Sequence, residues 1–510
     1  MKVMGISMGF HDAAVTVIDD GEILFAAHSE RYSREKNDPW LNKDIIREAL
    51  ERGRLCGHID GKPDVIVLHE RTWLKRARNI LSGEWGGLKE PTPQWWIKNF
   101  YTELDGIPIK QVGHHHSHAA AGVLTSGMDE ACVVNIDAIG EFDSATIWHW
   151  KNGKMKKLHS VKFPNSLGLF YSAVTHRVGL KPMEDEYILM GMAAYGDKDL
   201  ANQVSNQMSA DYFFKKPWIS GKLALKMSKN VHRGLDPESF PGVDDMVIAR
   251  AAQIQAEQRI FRYCEYAKRL TGSNNLVYGG GVALNCLANT QLFKLFNDIW
   301  IMPNPGDAGS SLGAAALYYY KKTGKTVNWQ GPYTGTNIAG KYPVNKALAS
   351  LKENKIFGIA NGRAEFGPRA LGNRSLMADP RGGDIKDRLN EIKKRQKFRP
   401  FAPIILEEFA DTYFEMPTKQ IPYMQFVVKC RYPETFPAIV HHDGTSRVQT
   451  VNRNQHPGLY GLLREFYDAT GCPMLVNTSL NIKGQPIVNT EQDAAEFAKH
   501  YGVEVHTSDV

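Results

Sequence analysis

The sequence predicts a two-part α/β protein whose N-terminal part is an internal duplication. Three observations predict it. An apolar strand, a small polar loop and a hairpin run through V-M-G-I-S-M-G-F-H-D-A-A-V-T-V-I-D-D-G-E-I-L-F-A-A-H-S-E. The same order returns in A-C-V-V-N-I-D-A-I-G-E-F-D-S-A-T-I-W-H-W-K-N-G-K-M. Glycine loops follow apolar runs at Y-G-G-G-V-A-L-N and at N-P-G-D-A-G-S-S-L-G. Around Thr323 to Lys346 apolar periodicity fades into G-P-Y-T-G-T-N, which divides the chain into residues 1–340 and 341–510.

Length and composition agree with this division. A chain of 510 residues has core enough for two domains. With 43% hydrophobic and 23% charged residues and no apolar run near the roughly 20 residues of a membrane helix, no span is expected. Met1-Lys2 leads directly into V-M-G-I-S without the pattern of a secretory signal, so cytoplasmic residence is the expectation. Cys56, Cys132, Cys264, Cys286, Cys430 and Cys472 form no C-x-x-C pair, which favours free thiols over zinc or disulfides. A net charge of +7 suits an anionic ligand without requiring one.

In the first repeat Asp19-Asp20-Gly21 makes the hairpin turn, and Gly9 to Asp12 interrupts the strand with small and polar residues. In the second, Asn152-Gly153 is the turn, and the loop from Asp137 to Asp143 is acidic. Two such hairpins resemble the actin and hexokinase type of ATPase fold, which grips a nucleotide between its halves. Between the repeats lies G-H-H-H-S-H-A-A-A. If its continuation is helical, His114 and His118 fall at i and i+4, on one face and close enough to share a metal ion. His115 and His116 then point elsewhere, to substrate or to the surroundings of the site. Asp137 and Asp307, each on a loop after an apolar run, are candidates to complete the ligands.

A long amphipathic helix is predicted from Met246 to Leu270. The strand after it ends in Gly279, Gly280 and Gly281, with Asn285 beyond. Such a turn suits a nucleotide or phosphate, and suits close packing equally well. Gly306 and Gly309 make a second loop of the kind.

In the C-terminal part the strand K-I-F-G-I-A delivers the chain into E-F-G-P-R-A-L-G-N-R-S. Arg369 and Arg374 can each hold an oxyanion through two parallel hydrogen bonds, and Gly367 and Gly372 admit close backbone approach. A helix predicted from Asp384 to Lys394 leads into Lys393, Arg395 and Arg399. Further on come H-H-D-G-T-S-R-V-Q-T-V, with Arg447, and a strand ending at Asn477, Thr478 and Ser479. Amide and hydroxyl groups there can recognise a neutral carbamoyl amide while arginines neutralise phosphate.

The motifs G-F-H-D-A, H-H-x-x-H-A, G-G-G-V-A-L-N, P-G-D-x-G, E-F-G-P-R-A-L-G-N-R-S, F-R-P-F-A-P, D-G-T-x-R-V-Q-T-V and L-V-N-T-S-x-N, in this order, resemble the NodU/CmcH family of O-carbamoyltransferases along nearly the whole chain. The resemblance implies an N-terminal actin-like (ASKHA) domain, similar to tRNA threonylcarbamoyl-transfer enzymes, and a C-terminal YrdC-like domain. It also implies two steps. Carbamoyl phosphate and ATP give carbamoyl-adenylate at Arg369, Lys393, Arg399, Arg447, Asn477 and Ser479. An acceptor hydroxyl then takes the carbamoyl group in the N-terminal domain, where His114, His118, Asp137 and Asp307 match the metal positions. Iron, or another divalent ion such as magnesium or manganese, is the implied cofactor. Gly279, Gly280, Gly281, Asn285, Gly309 and Arg374 are carried as nucleotide or substrate contacts, and His11 and Asp12 as acceptor contacts or general base. A homodimer is a further expectation. Where the family has Lys-His-Asp after the first hairpin, this chain has Lys36-Asn37-Asp38, so the role of that histidine is lost or displaced.

The resemblance leaves the acceptor open between small hydroxyl-bearing molecules and something larger. Cations and aromatics interleave from Arg71 to Tyr101 and again from Tyr212 to Arg233. Both suit phosphates and unstacked bases, which makes a hydroxymethylated pyrimidine in DNA one candidate acceptor, although solvated helix faces read the same way. The competing classes are a tRNA threonylcarbamoyl-type enzyme and a nucleotide-binding sensor.

Overall fold

The computed structural model describes residues 1–55, 61–83, 85–208, 235 and 238–509. The chain divides into two units, Met1–Gly9 with Pro63–Val327, and Phe10–Lys62 with Asn328–Val510.

In the first unit, β1 (Lys2–Ser7), β2 (Val65–Leu68) and β3 (Ile109–Gln111) run parallel, with Val3 opposite Val65 and Ile66 opposite Ile109. Such short apolar runs, buried throughout β1 and β2, suit a parallel sheet covered on both faces. A second sheet is built from the meander β4 (Glu130–Gly140), β5 (Asp143–Lys151) and β6 (Lys154–Lys162), with β7 (Asn275–Gly279) and β8 (Asp298–Trp300) parallel beyond β4; its order is β8-β7-β4-β5-β6. Asn152 and Gly153 both take positive φ in the β5–β6 turn, as a two-residue hairpin requires.

The duplication is visible in this order. Each repeat is a strand, a hairpin and then two parallel strands, the duplicated α/β plan. The first repeat's hairpin, Ala14–Asp19 with Glu22–His28, turns on Asp20 and Gly21, again both at positive φ, and belongs to the second unit.

Helix α1 (His114–Ser126) is buried from Ser117 to Thr125 and packs against α3 (Ser310–Thr323). A Cβ on Gly313 would lie 1.9 Å from the carbonyl oxygen of Ser117, so the two backbones meet where only glycine fits. Helix α2 (Asp245–Thr271) is one residue longer at each end than the amphipathic pattern predicts; Asp244 caps its start and Gly272, at φ 71°, ends it. No helix among the described residues is long and apolar enough to cross a membrane.

In the second unit a mixed six-stranded sheet contains β9 (Ile356–Ala360), β10 (Arg374–Ala378), β11 (Ala402–Leu406), β12 (Gln449–Val451), β13 (Met474–Ser479) and β14 (Val505–His506), in the order β12-β11-β13-β10-β9-β14. The basic helix is α4 (Ile385–Ile392), shorter than its predicted span. Helix α5 (Pro457–Thr470) starts from His456, whose Nδ1 accepts from the Leu459 amide at 3.1 Å. Its Nε2 lies 2.7 Å from Asn373 Oδ1, so the neutral ring with the proton on Nε2 satisfies both contacts.

Burial lowers the His456 pKa to about 4. Above the unfolded value near 6.5 the ring is neutral in both states; as pH falls toward 4 only the unfolded chain takes up the proton. This site therefore withdraws up to about 3 kcal/mol of stability between pH 6.5 and 4. Denaturant midpoints measured across that range should fall more steeply for the wild type than for His456→Asn, which keeps a capping oxygen but does not titrate.

Candidate metal centre and arginine loop

Helix α1 begins at His114, after Gly113, and brings His114 and His118 one turn apart. Both rings turn toward the end of β4. Asp137 Oδ2 lies 3.1 Å from each Nε2, and Asp307 Oδ1, from the turn before α3, lies 3.4 and 3.3 Å from them. The two Nε2 atoms are 3.1 Å apart. All four residues are at least nine-tenths buried, and their ligand atoms fall within 4.8 Å of one another. Two imidazoles and two carboxylates closing on one point make an N2O2 cage whose two negative charges match a divalent cation.

Burial opposes charge on His114, yet Asp307, Asp137 and Glu70 outweigh it and raise its pKa well above the usual histidine value; burial opposes charge on His118 too, and Asp137 and Asp307 raise its pKa above the usual value. Asp137 is pushed up by burial and by Asp307, but its hydrogen bonds to the two rings leave it low. The carboxylates thus demand positive charge at this point, and a metal ion fits it.

Glycine brings the surrounding backbone close. A Cβ on Gly140 would stand 2.1 Å from His114 Cδ2, and one on Gly280, at φ 85°, would stand 2.2 Å from the carbonyl oxygen of Ile136. Gly280 donates to the Pro305 carbonyl at 2.9 Å, so the two glycine loops meet, and a Cβ on Gly281 would stand 3.2 Å from Asp137 Oδ1. Gly279 packs on Asn135, and a Cβ on Gly309 would be 1.8 Å from the carbonyl oxygen of Asn304, which accounts for both by packing. Asn285 caps the helix Cys286–Gln291 and exchanges amide hydrogen bonds with Gln253 at 3.0 Å. Because the added methyl would stand against the His114 ring and push it off its position in the cage, Gly140→Ala should weaken metal binding at least tenfold, read by titration of the apo protein.

His115 and His116 turn away from the cage. His115 bonds to Thr146 Oγ1 and the Asp143 carbonyl, and burial with the nearby His114 lowers its pKa to about 3. His116 stacks on Trp148. Sequence reasoning passed over Glu70, buried beside His114, and Glu141, which accepts from Arg71 Nε at 3.0 Å and Nη2 at 2.6 Å. Glu70 follows an apolar strand, the same signal that marked Asp137.

In the second unit, Glu365 Oε1 gathers the arginine loop by accepting from the amides of Leu371, Asn373 and Arg374 at 2.7 to 3.2 Å. The two arginines of the motif separate. Arg369 is half-buried at the turn, whereas Arg374 is fully buried and donates to the carbonyls of Asn489, Asn361, Gly362, Asn373 and Thr336. The expected anion contact at Arg374 is corrected accordingly: protein carbonyls take up its guanidinium, and it is a framework residue.

Asn477 lies on β13 with Nδ2 on Gln449 Oε1 at 2.7 Å and on the Ala370 carbonyl at 3.0 Å, while its Oδ1 is buried without a partner. Arg447 Nε is likewise buried and unpaired. Lys393 is enclosed by Ser479 and Asn481, its Nζ 2.9 Å from the Asn481 carbonyl and 3.0 Å from Asn481 Oδ1. Burial, Arg395 and Arg399 hold its pKa well below the usual lysine value. Arg399 is half-buried, and its carbonyl accepts from Asn390.

His11 and Asp12 belong to this same unit. They bond to each other at 2.8 Å, with Asp12 at φ 53°. After the first hairpin, Arg31 donates to the Glu365 and Gly367 carbonyls and Arg34 to those of Ile487 and Pro486, tying this segment to the arginine loop.

Of the two cation and aromatic segments, residues 212–233 lie outside the described residues. In the other, Arg71, Lys75 and Arg78 are engaged by Glu141, by Glu70 and by Asn79. Trp73, Trp85 and Trp95 are exposed.

Residues 2–316 match the family model for the carbamoyltransferase N-terminus, and residues 348–508 that for the carbamoyltransferase C-terminus. The chain is 32% identical over 526 residues to the nodulation protein NolNO of Sinorhizobium fredii, spanning 95% of this chain and 76% of that one. It is 27% identical over 524 residues to the 3'-hydroxymethylcephem-O-carbamoyltransferase of Amycolatopsis lactamdurans, spanning 97% and 95%. Full-length HypF in its phosphate- and nucleotide-bound form aligns with a TM-score of 0.35 at 15% identity, over 64% of this chain and 47% of that one.

Matches to both halves make the protein a group-transfer enzyme. The chain belongs to the carbamoyltransferase family.

Proposed function

We propose that the protein is an ATP-dependent O-carbamoyltransferase that activates its donor in residues 341–510, read as a YrdC-like domain, and delivers it in residues 1–340. The family match over both halves carries this reading, and the unpaired polar atoms of the second unit support it. Asn477 Oδ1 offers an acceptor to a carbamoyl N–H, and Arg447 Nε offers a donor to an oxyanion. In this reading Arg369 and Arg399 bind the phosphates, and Lys393 orders Ser479 and Asn481 beside the carbamoyl group. Carbamoyl phosphate, ATP and water give carbamoyl-adenylate, phosphate and pyrophosphate.

The acceptor oxygen then attacks the carbonyl carbon, the bond from that carbon to the adenylate oxygen breaks, and AMP leaves. His11, held by Asp12, takes the proton of the hydroxyl. His114, His118, Asp137 and Asp307 hold a divalent ion, iron in this reading, which when bound supplies positive charge to phosphate oxygens. The loops at Gly281 and Gly306 present backbone beside the same point. Dependence on ATP, together with free buried thiols at Cys132, Cys264, Cys286, Cys430 and Cys472, suits a cytoplasmic enzyme.

The relative that carbamoylates a 3'-hydroxymethylcephem favours a hydroxymethyl group on a small molecule as acceptor. Exposed Trp73, Trp85 and Trp95 favour a second reading, a hydroxymethylated pyrimidine in DNA. Threonylcarbamoyl transfer to tRNA would give a product heavier by a whole amino acid.

The test is incubation with ATP, carbamoyl phosphate and Fe2+ without acceptor, followed by mass spectrometry. Carbamoyl-adenylate and pyrophosphate should form with the wild type and not with Arg369→Ala; no adenylate from folded, metal-loaded wild type would overturn the donor chemistry. Small hydroxymethyl compounds and hydroxymethylated DNA then compete as acceptors, and transfer that falls steeply with salt on DNA alone selects the second reading.

A further inference from the structure

We propose that Glu70 is a positioning residue for His114, holding its ring in the tautomer and orientation that ligates through Nε2. The inference rests on the reading of His114 as a metal ligand and goes beyond the four ligands themselves.

An imidazole that binds a cation through Nε2 carries its proton on Nδ1, and a buried N–H needs an acceptor. His114 Nδ1 is buried and has no hydrogen-bond partner. The group facing it is Glu70 Oε2 at 3.7 Å, and a ring shift of roughly 0.7 Å would bring the pair to hydrogen-bond distance. Glu70 is 5% exposed, and its two oxygens are divided between two partners. Oε1 accepts from Lys75 Nζ at 3.0 Å, and Oε2 is left for the ring. Lys75 also donates to the Gly9 carbonyl at 2.9 Å, so the carboxylate is fixed from the side away from the cage.

The other ligand ring is supported differently. His118 Nδ1 meets the hydroxyl of Ser310 at 3.1 Å. A carboxylate behind one ring and a hydroxyl behind the other make His114 the more basic ligand, since a charged acceptor draws the Nδ1 proton harder. His69, Glu70 and His114 also lie close enough to hold an ion of their own. The Lys75 ammonium beside Glu70 disfavours that, because a second cation would face an existing one.

Cobalt(II) titration of the metal-free, full-length protein tests the assignment, with affinity, stoichiometry and the visible Co2+ spectrum as readouts. The wild type should bind one ion per chain. Glu70→Gln should bind one ion about 10 to 100-fold more weakly with a shifted spectrum. Lys75→Met should bind at least as tightly as the wild type. The double variant Glu70→Gln/Lys75→Met, which leaves no stranded ammonium, should stay weak.

Equal affinity in Glu70→Gln would overturn the proposal. So would recovery in the double variant, which would trace the loss to an unpaired Lys75. Two ions in the wild type falling to one in Glu70→Gln would make Glu70 a ligand instead. A wild type that binds no Co2+ would remove the metal reading and this proposal together, a result distinct from equal affinities.

Discussion

Asp137→Asn is expected to slow carbamoyl transfer by orders of magnitude while leaving carbamoyl-adenylate formation in place. Asp137 Oδ2 is the one oxygen equally close, at 3.1 Å, to both ring nitrogens of the cage. Its Oδ1 accepts from the Ala138 amide at 2.8 Å, which sets the carboxylate plane. Asparagine keeps the volume but halves the negative charge of the donor set, so metal affinity should fall by more than the 10 to 100-fold typical of losing a group that only supports a ligand. Charge stabilisation by a bound cation is worth several kcal/mol, so transfer should slow by about 10^2 to 10^4. Metal content by elemental analysis, single-turnover transfer from preformed carbamoyl-adenylate, and pyrophosphate release measured separately give the three readouts. Retention of both metal and transfer by Asp137→Asn would sink the assignment; loss of adenylate formation as well would show that the two steps are not divided as proposed.

The features legible in the sequence share a short period or a position after an apolar run. His114 and His118 are spaced by one helical turn, and Asp137 and Asp307 follow strand-like stretches, so four candidate ligands scattered over nearly two hundred residues can be gathered from local pattern alone. The duplication is legible because each hairpin carries its own turn signal, Asp20-Gly21 and Asn152-Gly153. Glu70 also follows an apolar run, but nothing local names its partner. Its role depends on β2 ending beside α1, a pairing through space that no local pattern encodes. The same holds for the segment after the first hairpin, whose Arg31 and Arg34 grip carbonyls more than three hundred residues away. His115 and His116 show a partial limit: the i, i+4 spacing of the other two already turns them away from the metal pair, but only the position of β5 sends them to Thr146 and Trp148. Arg369 and Arg374, five residues apart in one motif, cannot be told apart either, because burial decides their roles.

That burial makes Arg374→Met the larger stability prediction. Two terms oppose each other. Burial of the guanidinium lowers the Arg374 pKa to about 10, so removing the charge recovers roughly 3 kcal/mol of desolvation. Against this, five carbonyls lose a charged donor in a site with no exposure, at about 1–3 kcal/mol each. The loss wins by about 2–12 kcal/mol, a range that reaches the whole stability of an ordinary domain. The carbonyls belong to residues 336, 361, 362, 373 and 489, so the strand ends on both sides of the arginine loop loosen together. Arg374→Met should therefore melt at least 10 °C lower, or fail to accumulate as folded protein, and a lysine in its place should rescue little, having no planar fork to reach carbonyls on several sides. Arg369→Met should show the reverse: an unchanged melting curve and no carbamoyl-adenylate. If Arg374→Met melts like the wild type and only substrate binding suffers, the guanidinium is a ligand contact after all, and the five carbonyls have found water.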